Sequence, residues 1–210
     1  MFWANFINFE ISSYILKLMK DEKIIRLVYD ISEKNDQIAF AQLYRFFFPG
    51  LLTFANSIVK NKSLSEDIVS NVFIKIWENR KILPTIKNLS HYLYVAVKHA
   101  SINSIYREKS FFFEEINEDN HLVFNHTNDT VISKENLIKI TEAINLLPPK
   151  CRLIFRLIKE EGLKHAEVAS LLELSESTIE NQITIALRKI AECLQLELPE
   201  YQNYYKAKKR

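Results

Sequence analysis

The stretch from Leu163 to Cys193, LKHAEVASLLELSESTIENQITIALRKIAEC, constrains this chain more than any other. Its first half repeats apolar residues at helical spacing, Leu163, Val168, Leu171 and Leu172, and Ala169 is small enough for a second helix to cross closely. Ser175 then offers its hydroxyl to the free N–H groups of a new helix, which makes it the expected N-cap. That helix turns Ile179, Ile183, Leu187 and Ile190 inward and leaves Glu180, Asn181, Gln182 and Thr184 elsewhere. Two short helices joined by a tight turn, the second polar along one side, spell a helix-turn-helix, whose functional reading is major-groove recognition. An ordinary helical hairpin satisfies the same pattern. The turn position that most often holds glycine is Glu173, where a positive φ carries mild strain.

Only two glycines and five prolines punctuate 210 residues, and helical periods dominate, so the chain is expected to be all-α, as one large domain or two small ones. Lys and Arg total 28 against 26 for Asp and Glu, and a net charge of +2 gives no broad electrostatic footprint for nucleic acid. A DNA-binding role on this balance implies weak binding alone, or help from a partner. Cys151 and Cys193 stand apart from each other and from any zinc-ligand spacing, which reads as reduced thiols in a cytosolic protein with no metal site. The apolar start, MFWANFINFEISSYILKLM, lacks a basic n-region and a small-residue cleavage site, and Asn5, Asn8 and Glu10 interrupt it. It reads as neither a signal peptide nor a membrane span, and residues 1–20 are set apart as an N-terminal extension.

From Asp21 the spacing of Ile24, Ile25, Leu27, Val28 and Ile31 is helical, Asn35 and Asp36 break it, and Asp36 is expected to cap the next helix. Phe40 to Val59 is expected to be one helix kinked at Pro49. Ser63 and Glu66 then form a predicted capping box. Behind it Ile68, Val69, Val72, Phe73, Ile76 and Trp77 face inward, leaving Asp67, Ser70, Asn71, Ile74 and Lys75 outside. Ile74 is the odd member of that outer side. Asn79 to Ser90 reads as a loop with three basic residues. The helix after it turns Leu93, Ala96, Val97, Ala100 and Ile105 inward and shows Tyr92, Tyr94, Lys98, His99, Asn103, Arg107 and Lys109. Aromatics interleaved with cations and amides suit single-stranded bases, although tyrosines that complete a core and solvated charges give the same pattern. Phe111 to Ser133 holds five acidic residues and no Lys or Arg, an acidic linker that marks a domain boundary. Beyond it come a helix from Lys134 to Leu147, a second with Pro149 at its first position, the helix-turn-helix, and a basic tail.

With these elements in place, LSEDIVSNVFIKIWENR followed by IKNLSHYLYVAVKHASIN resembles region 2 of the sigma-70 family, and LPPKCRLIFRLIKEEGLKHAEVASLLELSESTIENQITIALRKI resembles region 4. Two such modules around an acidic linker, with no region 3, resemble the extracytoplasmic-function (ECF) sigma factors. KNLxxYLYVAVK and TIENQI look closest to the branch that regulates outer-membrane iron or glycan uptake. The resemblance implies a promoter-specificity factor with no catalytic activity and no cofactor. Region 2 (21–109) would dock on the β′ clamp helices of core RNA polymerase through Asp67, Ser70, Asn71 and Ile74, where the family usually has Gln and an acid in place of Ser70 and Asn71. The −10 element would be opened and held by Lys81, Lys87, Asn88, Tyr92, Tyr94, Lys98, His99, Asn103 and Arg107, with His99 standing where the family usually has Asn. Region 4 (134–196) would meet the β flap and read the −35 element through Ser177, Thr178, Glu180, Asn181, Gln182 and Thr184, with Lys164, Arg188 and Lys189 on phosphate. Ile185 replaces what is often a basic residue. The linker (110–133) would lie in the RNA-exit region, residues 197–210 form the tail, and an anti-sigma factor, soluble or membrane-bound, is an implied partner of a cytoplasmic protein.

Two other readings compete. A stand-alone helix-turn-helix regulator with a sensing or dimerising N-terminal domain predicts tight palindromic binding without polymerase, and the absence of a basic surplus argues against it. A small metal-dependent nuclease built on Glu66, Asp67 or the histidines finds no HxxxH or spaced carboxylate cluster to support it. Glu66 and Asp67 are adjacent on one helix and do not face each other.

Overall fold

The structure, a computed structural model, describes residues 22–111 and 141–193. Among these residues every regular element is helical. The chain divides into two compact units between Val123 and Phe124. The N-terminal extension 1–20, nearly all of the acidic linker, the start of the helix expected at Lys134 and the basic tail lie outside the described residues.

The first unit holds α1 (residues 22–34), α2 (Gln37–Val59), α3 (Lys62–Glu78), a 3-10 turn (Arg80–Thr85) and α4 (Leu89–Phe111). Asn35 takes the left-handed conformation at φ 55, and Asp36 accepts from the N–H groups of Ile38 and Ala39 at 2.8 and 3.0 Å, so α1 stops and α2 starts within two residues. Asp36 is the cap expected from sequence. The second start signal was misplaced. Asn61, not Ser63, caps α3, because Asn61 Oδ1 accepts from Leu64 N–H at 3.1 Å and Lys60, at φ 54, brings the chain round one residue earlier. Ser65 is fully buried, its hydroxyl donating to the Asn61 carbonyl at 2.6 Å.

Helix α2 runs unbroken through Pro49 and is the centre of the unit, with Leu43, Phe47, Leu51, Phe54 and Ala55 buried between α3 and α4. Its length and mean hydropathy of 1.3 would suit a membrane span, yet packing against two neighbours accounts for the same composition. Along the seam with α3, Phe40 lies 6.0 Å from Phe73 and 5.0 Å from Trp77, and Tyr44 lies 4.8 Å from Phe73. The stretch Asn79 to Ser90 is more ordered than a loop. Leu83 is buried and draws the 3-10 turn against the core, and α4 begins at Leu89, capped by Asn88 Oδ1 on the His91 N–H at 3.1 Å.

In the second unit a helix described over residues 141–145, α5, precedes α6 (Pro149–Lys159), α7 (His165–Leu172) and α8 (Glu176–Cys193). Pro149 opens α6 where its missing N–H costs nothing. Arg152 bends back to donate to the Leu147 carbonyl through Nε and Nη2 at 3.3 and 3.0 Å. Gly162, at φ 75, turns the chain toward α7. Glu173 then ends α7 at φ 56, ψ 45, the strained geometry the sequence foreshadows. Glycine adopts that conformation freely, so Glu173→Gly is expected to stabilise the second unit by about 1 kcal/mol, read as a rise in Tm of several degrees.

Cys151 is buried at the α6–α8 contact, its thiol 3.3 Å from the Gln182 carbonyl, while Cys193 is exposed. Burial pushes the Cys151 thiol above its ordinary 9.0, with Lys189 opposing. Below 9.0 the thiol is protonated whether the chain is folded or not. Above it the unfolded chain ionises first, so stability of the second unit is expected to fall as pH rises through and past that value. Maleimide at neutral pH should label Cys193 quickly and Cys151 only as the unit unfolds, which mass spectrometry of the two peptides would show.

Candidate functional site

Each unit carries its own surface. On α3 the buried stripe Ile68, Val69, Val72, Phe73 and Ile76 leaves Asp67, Asn71 and Ile74 exposed one turn apart on the opposite side. Ile74 is 54% exposed, a large apolar side chain among short polar ones. Ser70 departs from the expectation. It is half-buried on the α2 side, its hydroxyl 3.5 Å from that of Tyr44, because it sits about 100° round the helix from Asn71 and faces the aromatic seam. The outward face is therefore Asp67, Asn71 and Ile74, with Ser70 and Tyr44 at its edge.

On α4 the core face is rotated from the one read in the sequence. Leu93, Tyr94, Val97 and Ser101 are buried, while Ala96, Ala100 and Ile105 are half-buried. Tyr94, expected on the DNA side, is 1% exposed and packs edge-on against Phe54 at 5.2 Å. Its position shares a face with Val97 and Ser101 at helical spacing, and a tyrosine ring there fills the α2–α4 interior. Tyr92, His99 and Asn103 instead lie exposed along one line of the helix, with Val95 and Ala96 half-buried between the first two and Arg107 exposed at its end. Lys98 is half-buried on the shoulder of that stripe. The sequence reading missed Tyr106, which is 70% exposed and extends the stripe by one turn beyond Asn103. Its spacing from Asn103 was the available signal. Lys81 and Lys87 are exposed on the segment leading into α4, and Asn88 is half-buried in its capping role. Lys81 Nζ lies 3.9 Å from Glu33, a surface pair weak enough to be exchanged for a phosphate.

In the second unit α7 and α8 form the expected helix-turn-helix, with Ser175 as the N-cap. Its Oγ accepts from Thr178 N–H at 3.2 Å and lies 3.0 and 2.8 Å from the hydroxyls of Ser177 and Thr178, so the first two expected base-reading side chains are also tied into the cap. Ile179, Ile183, Ala186 and Ala191 are buried; Leu187 and Ile190, expected inside, are half-buried. Opposite this core run Ser177, Asn181, Thr184 and Arg188, one helical ridge. Thr184 donates its hydroxyl to the Glu180 carbonyl at 2.8 Å and so presents an acceptor oxygen and a methyl. Glu180 and Gln182, both half-buried, stand about 200° apart on α8, Glu180 beside the ridge and Gln182 nearer the buried face, where the sequence reading placed them together. Lys164 and Lys189 are exposed, and Arg188 pairs loosely with Glu192 at 3.7 Å.

Among the described residues no group of three His, Cys, Asp or Glu side chains is placed to hold a metal ion. The surfaces present hydroxyl, amide, aromatic and cationic groups, a chemistry of recognition.

Comparison with known proteins gives these surfaces a context. Sigma-70 region 2 matches residues 43–111 and sigma-70 region 4 matches residues 137–190. The two modules, in that order, cover more than half of the chain, and the chain belongs to the sigma-70 family, as a sigma factor of the ECF type. It is similar to the ECF RNA polymerase sigma factor SigK of Mycobacterium tuberculosis and of Mycobacterium bovis, at 21% identity over 76% of this chain and 88% of the relative. Among solved structures it resembles CnrH in complex with the cytosolic domain of CnrY, at 19% identity and a TM-score of 0.43 over 82% of this chain and 97% of that one. The sigma factor RpoE in complex with the anti-sigma factor NepR, from Bartonella quintana, gives 18% identity and a TM-score of 0.45 over 76% of this chain and 98% of that one.

Proposed function

We propose that this sigma factor divides its work among three surfaces and performs no catalysis itself. Asp67, Asn71 and Ile74 on α3 dock on the clamp helices of core RNA polymerase. The stripe Tyr92, His99, Asn103 and Tyr106, with Lys81, Lys87, Lys98 and Arg107 beside it, holds the opened −10 strand by stacking and phosphate contact. The α8 ridge reads −35 base edges, with Glu180 reaching from beside it, Gln182 from nearer the buried face, and Lys164, Arg188 and Lys189 on phosphate. The observation that carries this reading is the ridge Ser177, Asn181, Thr184 and Arg188, directly opposite a buried apolar face, within a helix-turn-helix. A net charge of +2 suits a protein delivered to DNA by polymerase rather than by its own field.

The boundaries 21–109 and 134–196 for the two modules belong to the same proposal, as do the β flap as the partner of the second module, cytoplasmic location and an anti-sigma partner. The KNLSHYLYVAVK and TIENQI stretches support membership of the iron or glycan uptake branch. The test is transcription from fragmented genomic DNA with core polymerase, with and without the chain. Gln182→Ala is expected to leave core binding intact and to relax base preference at one −35 position, by about 1–3 kcal/mol in competition binding. Tight palindromic binding without polymerase would favour a stand-alone regulator.

A further inference from the structure

At the end of α3 one side chain joins several parts of the first unit. Arg80 Nε donates to Oδ1 of Asn35 at 2.6 Å, across 45 residues of sequence, and Nη1 donates to the Trp77 carbonyl at 2.9 Å. The guanidinium carbon stands 4.7 Å from the centroid of the Trp77 ring, which lies 5.0 Å from Phe40 of α2. Asn35 is the left-handed residue between α1 and α2, so its side chain is held by a constrained backbone. A planar fork can stack on a ring while its edges donate in two directions. An ammonium group cannot do both.

Arg80 is also the first residue of the 3-10 turn, and the segment it begins carries Lys81 and Lys87 to the start of α4. Upstream, α3 bears Asp67, Asn71 and Ile74. Along the chain Arg80 therefore falls between the helix assigned to polymerase and the one assigned to the −10 strand. Leu83 anchors the middle of the turn in the core, and Arg80 and the loose Glu33–Lys81 pair tie its first residues to the α1–α2 junction.

We propose that Arg80 is a positioning residue for promoter opening. By bonding Asn35 and stacking on Trp77 it fixes the turn and the start of α4 relative to α3, so that docking of α3 on polymerase places the strand-holding stripe against the −10 DNA. This inference rests on the sigma-factor reading of the two surfaces. Leu43, Phe47, Phe54 and Val69 are buried in the core of the unit and Arg80 is half-buried, so the fold is expected to survive its removal while the turn is freed.

The experiment uses the full chain, core polymerase and a duplex promoter recovered with the wild-type chain, beside the same promoter with its −10 segment pre-opened by mismatches. The variants are Arg80→Ala, Arg80→Lys and Asn35→Gly, the last keeping the positive φ while deleting the acceptor. All three are expected to keep core affinity within about twofold of wild type, since Asp67, Asn71 and Ile74 are not the groups that Arg80 bonds or stacks on. Opening of the duplex, followed by permanganate reactivity, should fall about tenfold in Arg80→Ala, recover on the pre-opened template, and fall in the same direction in the other two. Wild-type opening by Arg80→Ala and Asn35→Gly, equal loss on both templates, or a parallel loss of core binding would overturn the proposal. If Arg80→Ala unfolds by circular dichroism, Asn35→Gly alone decides. A wild-type chain that fails to bind core overturns the underlying reading and this inference with it, and that arm is read before any variant.

Discussion

Reversing the charge at Asp67 is expected to weaken binding to core RNA polymerase by roughly a hundredfold, about 3 kcal/mol, in fluorescence anisotropy of the labelled chain. Asp67 is exposed near the start of α3, one turn before Asn71 and two before Ile74, on the side opposite the buried stripe. An arginine there places a positive charge where the proposed interface receives a negative one and has no buried neighbour to disturb. The melting curve of Asp67→Arg should therefore match that of wild type to within about 0.5 kcal/mol. Ile74→Asp should behave alike for a different reason: an apolar side chain held in water in the free protein gains by burial, and a carboxylate in its place must be desolvated. Gln182→Ala, on the other unit, is the internal control and should bind core as wild type does. Equal loss in all three variants would contradict a docking surface on α3.

This surface was legible in the sequence because a helix with one strongly apolar face leaves little doubt about the other, and an isoleucine on the wrong side stands out. The same periodicity gave α8 and its Ser175 cap, and the positive φ at Glu173 followed from turn geometry alone. What the sequence hid has physical causes. Asn61 and Ser63 are both good caps two residues apart, and the choice between them was made by where Lys60 turns the chain. Ser70 sits at the edge of two faces, so its environment depends on Tyr44 of another helix. The Arg80–Asn35 bond joins residues 45 apart, and no local pattern announces a pairing at that distance. Glu180 and Gln182 looked alike as polar residues, and only their angular positions on a defined helix separate them.

Tyr92 and Tyr94 make the sharpest contrast, since the sequence assigned both to DNA and the structure separates them. Tyr94→Ala is expected to destabilise the first unit by about 3–5 kcal/mol, because it empties a fully buried aromatic site against Phe54. A loss of that size approaches the whole stability of a small domain, so denaturant unfolding should show the midpoint collapse before any DNA is added. Tyr92→Ala should shift that midpoint far less than Tyr94→Ala does, because Tyr92 is 39% exposed at the edge of α4. Its cost should appear instead in the affinity of the holoenzyme for single-stranded −10 DNA, about 1–3 kcal/mol if a base stacks there. Tyr92→Phe keeps a stacking face and should recover most of the binding. Were Tyr94→Ala to fold normally and lose only DNA, the −10 surface would have to run along a different side of α4 from the stripe Tyr92, His99, Asn103 and Tyr106. The assignment of His99 to the −10 strand would then fall with it, because a residue seven positions after Tyr92 lies on the same line of the helix.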